Sequence, residues 1–153
     1  MAATKKKPVT RNSVIAKSID TAVSNLEAAL EKANKAVVAR STESKKLLNE
    51  SRRLRKRRMT QMNRKKRAVA ADKKNSTGDT RKALRAVTSE LNATSKAITK
   101  ATTTRQAVLE ELAGLKDSQK TLSGYVKGIY ATDRAIARAK KKKKTSKKRV
   151  GPA

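Results

Sequence analysis

"KKNSTGDT", residues 73–80, is the only interior cluster of turn formers in a chain of 153 residues. Both prolines, Pro8 and Pro152, lie near the ends, so between them only this cluster interrupts helix-favouring sequence. Gly78 is suited to ending one helix in the left-handed conformation, and Asp79 or Thr80 to capping the next. The expected turn spans residues 75–79, and the reading of both arms depends on it.

Toward the C-terminus the arm from Arg81 to about Lys140 carries a seven-residue repeat. With Leu84 as position a, the a series is Leu84, Leu91, Ile98, Arg105, Leu112, Gln119, Val126 and Asp133. The d series is Val87, Thr94, Ala101, Val108, Leu115, Leu122, Ile129 and Ile136. Twelve of these sixteen positions are apolar and one register holds throughout, the pattern of a coiled-coil seam with polar layers.

Toward the N-terminus, Asn12 or Ser13 offers an N-cap, and residues 13–74 are rich in Ala, Leu, Lys, Arg and Glu. Ile19, Leu26, Ala33, Leu47 and Leu54 recur at multiples of seven, with Val23, Leu30 and Val37 offset, while Arg40 and Ser44 interrupt. Beyond Leu54 the apolar stripe passes to Met59, Met62 and Val69, which reads as a stutter in the repeat or a loosened segment. Folding back at the turn pairs residues whose numbers sum to about 154: Ile19 with Ile136, Leu30 with the Tyr125 and Val126 region, Leu47 with Val108. The expected fold is all-α, a long antiparallel helical hairpin of the coiled-coil kind. Its parts are a basic N-terminal arm (1–12), the hairpin (13–139) and a Lys-rich C-terminal tail (140–153), with arm and tail disordered when free.

Composition explains why a slender fold is expected rather than a globule. The aromatics are two tyrosines, Tyr125 and Tyr130, and most of the apolar fraction is alanine. So little large apolar area does not offset the chain entropy of an ordinary core. There is no Cys and no His, which removes disulfides, thiolate metal sites and the usual general base. Glu110, Glu111 and Asp117 then read as surface charge rather than a catalytic pair, and no Gly-rich phosphate loop is present. No catalytic residue, cofactor or metal is expected. No segment approaches the roughly 20 apolar residues of a membrane span, so a cytoplasmic protein is expected.

The net charge is +29. "SRRLRKRRMTQMNRKKR", residues 51–67, holds ten cations and no acid: Arg52, Arg53, Arg55, Lys56, Arg57, Arg58, Arg64, Lys65, Lys66 and Arg67. The tail adds Lys140, Lys141, Lys142, Lys143, Lys144, Lys147, Lys148 and Arg149. A solvated helix face normally mixes signs, and like charges one turn apart destabilise a helix. These runs therefore point to a polyanion, with nucleic acid first and structured RNA or an acidic scaffold partner as alternatives. Phosphate contacts position a protein without reading sequence. Two tyrosines are too few for a single-strand stacking groove, so non-specific binding of duplex DNA is the expectation, with the two basic clusters able to bridge or compact it. A homodimer through the coiled coil is compatible with the pattern.

"LEELAGLKDSQKTLSGYVKGIY" (109–130) resembles the helical region of AlgP-type proteins, and "ATKKKPV" (3–9) is similar to their opening. The resemblance implies a histone H1-like bacterial DNA-binding protein of the nucleoid that regulates transcription. The long Lys-Pro-Ala-Ala tail of that family is replaced here by "AKKKKKTSKKRVGPA", residues 139–153.

Overall fold

A computed structural model describes the backbone of residues 2–149 and the side chains of residues 13–146. Two helices make up the described residues, α1 (Ala2–Lys74) and α2 (Gly78–Arg149), packed against each other as an antiparallel hairpin. Helix backbone thus extends past 13–139 at both ends. Lys140–Ser146 are helical and exposed, as alanine and lysine favour helix and no proline or glycine intervenes before Gly151. The side chains of residues 2–12 and 147–149, and residues 1 and 150–153 entirely, lie outside the described residues, and with them most of the expected arm and tail.

The turn is tighter than expected and is closed by different residues. Gly78 is the first residue of α2, not the end of α1, and no described glycine has positive φ. Thr77 is the N-cap. The Thr80 N–H donates to Thr77 Oγ1 (3.2 Å), and the Thr77 N–H donates back to Thr80 Oγ1 (2.9 Å). This is a capping box with threonine in the place usually held by Glu or Gln. The Thr80 hydroxyl also meets Asp72 Oδ1 at 2.9 Å, tying the start of α2 to the last turns of α1. Asp79 does not cap but lies in the first turn, where its charge suits the helix dipole.

Two compact units divide the hairpin, one of residues Val37–Gly114 and the other of Met1–Ala36 with Leu115–Ala153. In the Val37–Gly114 unit the α2 seam matches the expected heptads, with Thr94, Ile98, Ala101, Val108 and Leu112 buried. The α1 seam corrects the expected stutter. Val37, Arg40, Ser44, Leu47, Ser51, Leu54, Gln61, Lys65, Ala68 and Asp72 are all buried or half-buried, at steps that keep one heptad register. Arg58 holds the remaining seam position and is exposed. Of the expected shifted stripe, Met59 and Met62 stay outside the seam, 64% and 38% exposed, while Val69 is half-buried beside it. The physical reason is the partner: α2 repeats strictly every seven residues, and a slip in α1 would misalign every layer beyond it. Keeping register is favoured over burying two methionines, so polar residues occupy the seam instead.

Threonine is a weak helix former, yet α2 is rich in it. Its hydroxyls bond back to the preceding turn, for example Thr88 to the Leu84 carbonyl (2.8 Å) and Thr102 to that of Ile98 (2.8 Å). In the other unit, Ala33 and Val126 are buried and Val23, Leu26, Leu30, Leu115, Leu122 and Ile129 half-buried. There the seam runs out early. Ile19 and Ile136, expected to cover each other, are both exposed, and so is Asp133. Among the described residues no side chain is completely buried, as a two-helix seam has no second layer to close it.

Candidate nucleic-acid interface

The ten cations of residues 52–67 lie on α1 within the Val37–Gly114 unit. With Ser51, Arg58 and Lys65 at position a, they fill every heptad position except d, held by Leu54 and Gln61. They therefore surround the helix rather than forming one outward stripe. All are exposed except Lys65, which is half-buried at the seam. Ion pairs among the described residues are Lys35–Glu31 (3.2 Å), Arg40–Glu43 (2.6 Å) and Arg40–Glu111 (3.2 Å). None involves the basic band, so its charge is uncompensated by the fold. Arg81, Lys82 and Arg85 on α2, outside the expected set, are exposed in the same unit. Their position just past the turn was the signal for them, since the hairpin folds that stretch back beside the end of α1.

The tail cluster belongs to the other unit. Lys140, Lys141, Lys142, Lys143 and Lys144 are exposed along the end of α2, while the side chains of Lys147, Lys148 and Arg149 lie outside the described residues. The two clusters thus belong to different units.

Cross-helix polar contacts fall where the expected pairing puts them, though on other residues. Arg105, at an a position of the α2 seam, is half-buried, and its Nε is buried without a partner. Arg40 bridges the helices, donating a hydrogen bond to Glu43 on its own helix and forming an ion pair with Glu111 on α2. The hydrogen bond with Glu43 and the charge of Glu111 raise its pKa. In the Met1–Ala36/Leu115–Ala153 unit, Gln119 Nε2 donates to Asn34 Oδ1 (2.6 Å), and the Tyr130 hydroxyl donates to Glu27. That hydrogen bond, with the Glu27 charge, raises the Tyr130 pKa. All three pairs have position sums near 154, as the expected fold-back requires.

Among the described residues no group of His, Cys, Asp or Glu is placed to hold a metal, and no helix is long and apolar enough to cross a membrane. No known protein family, curated protein or solved structure matches this chain.

Proposed function

We propose that this chain binds duplex DNA through its phosphates, without sequence preference, as a histone-like nucleoid protein whose effect on transcription follows from occupancy. The observation that carries the reading is the unpaired basic band. Residues 52–67 span about 24 Å of helix at 1.5 Å per residue. Ten charges over that length give one per roughly 2.4 Å, close to the duplex's one per ~1.7 Å of axis. A helix charged on nearly all sides suits a ligand that is itself uniformly charged, and binding releases condensed counterions. No aromatic side chain lies within the band, so it has no stacking platform for unpaired bases.

The test is binding of the full chain to fluorescent duplexes of several sequences, and to a structured RNA, across a salt series. For about 8 neutralised phosphates the log–log slope is near −7, at roughly −0.9 per contact. Replacing Arg55, Lys56, Arg57 and Arg58 together by Gln should flatten the slope by about 3 to 4 and weaken every duplex alike. Affinity that depends on duplex sequence, or tight binding to RNA with none to DNA, overturns the proposal.

A further inference from the structure

The Met1–Ala36/Leu115–Ala153 unit carries an apolar surface that the hairpin leaves uncovered. Ile19, Gly124, Tyr125, Gly128, Ile129 and Ile136 border one open groove. Tyr125 is 60% exposed, Ile19 56% and Ile136 49%. Contiguous exposure of large apolar side chains marks an interaction surface more often than scattered residues do. Two glycines lie on this groove, and like Gly114 away from it they have open space around them. A Cβ at Gly124 or Gly128 would meet nothing within 4 Å, so no contact within the chain requires a glycine at either place. A helix interior nonetheless disfavours glycine relative to alanine. Two of them, one turn apart on the lip of the groove, leave room for something outside the chain.

Charge identifies what that is. The chain as a whole is strongly cationic, but the two helix segments beside the groove are not alike. On α1, residues 17–27 carry Lys17 against Asp20 and Glu27, a net −1, while Glu31 further along is paired with Lys35. On α2, residues 120–134 carry Lys120, Lys127 and Arg134 against Asp133, a net +2. A surface with one acidic and one basic flank is complementary to its own copy under two-fold rotation, where α1 of one molecule faces α2 of the other. An acidic protein or a polyphosphate would be drawn to the basic clusters instead of this balanced stretch.

We infer that a second copy of this chain docks in the groove, building a two-fold dimer of hairpins around Tyr125 and the Gly124–Gly128 face. Tyrosine suits such a place, burying large area while keeping its hydroxyl at the rim. The inference is independent of the DNA-binding proposal and is tested without nucleic acid. Sedimentation equilibrium of the full chain is run from micromolar to millimolar concentration, in about 0.5 M NaCl to shorten the Debye length to roughly 4 Å. The expected result is a concentration-dependent dimer. Gly124→Leu with Gly128→Leu should abolish it while circular dichroism shows the helix content intact, the side chains having open space within the monomer. Gly124→Ala with Gly128→Ala should weaken the dimer at least tenfold and yet raise the thermal midpoint of the dilute, monomeric protein. That opposite pair of effects is not produced by glycines that merely soften a helix. A wild type monomeric throughout, or a dimer that survives both leucines, overturns the inference.

Discussion

Replacing Gln61 by Leu should stabilise the hairpin, although it alters a residue that is only 3% exposed. Gln61 occupies the d position that follows Leu54, and its Oε1 is buried without a hydrogen-bond partner. An unsatisfied buried acceptor costs about 1–3 kcal/mol. A leucine side chain there would remove that cost and extend the apolar seam. A fully buried Leu contributes roughly 1.5–3 kcal/mol, but the Gln stem already supplies part of this and a two-helix seam buries its knobs incompletely. A net gain of about 2 kcal/mol is the reasonable expectation from these two terms. For a chain of this size each kcal/mol moves the thermal midpoint by about 2–4 °C, so the midpoint should rise by roughly 4–8 °C. Helix ellipticity followed through heating, and through urea at fixed temperature, provides the measurement. The urea midpoint should rise with an unchanged slope. A midpoint that stays put or falls would refute the reasoning: Gln61 would then be satisfied in solution, and the seam would not be limited by its polar layers.

The unbroken register is checked by a contrast. Leu54→Ala should cost roughly 2 kcal/mol, at the low end for a Leu deletion because the site is half-buried. Met59→Ala should stay within about 0.5 kcal/mol; the reverse order in urea titrations would restore the stutter. Thr77→Ala removes the N-cap of α2 and should cost about 1 kcal/mol, read in the same titration. Tyr130 predicts a pH effect. Its folded pKa is raised above the ordinary 10.0 by Glu27, so its contribution is complete below about pH 10 and is lost as pH rises through the raised value. Thermal midpoints of the wild type should therefore fall through that alkaline window more steeply than those of Tyr130→Phe.

The two arms differ in how openly they declare themselves. α2 presents Leu84, Leu91, Ile98, Val108 and Leu112 at heptad spacing, and apolar periodicity finds it at once. α1 conceals its second half, because Ser51, Arg58, Gln61 and Lys65 hold the seam where an apolar count looks for Leu. Met59 and Met62 then suggest a shift that the strict partner does not allow. The place of the turn was legible from its composition, but not its closure, since threonine at both ends of a capping box lacks the usual acid. The basic band was legible completely as a run of charge. That it wraps the helix follows from ten cations in seventeen positions at helical spacing; that it finds no acid within the fold depends on which acids face it. The failure of Ile19 and Ile136 to cover each other was not legible, because pattern matching assigns a partner without asking whether the helices close over it.

The three-residue connection carries a topological consequence. Nearly all the adhesion between α1 and α2 is indifferent to whether they belong to one molecule, since an antiparallel seam forms equally well when arms are traded. What distinguishes the closed form is local: Asn75, Ser76 and Thr77 break the helix, and the Thr77–Thr80–Asp72 hydrogen bonds clasp it shut. Alanine at all three linker positions would favour straightening, and the product would be an intertwined pair exchanging whole arms, visible as a doubled mass that dilutes away only as slowly as the helices unfold.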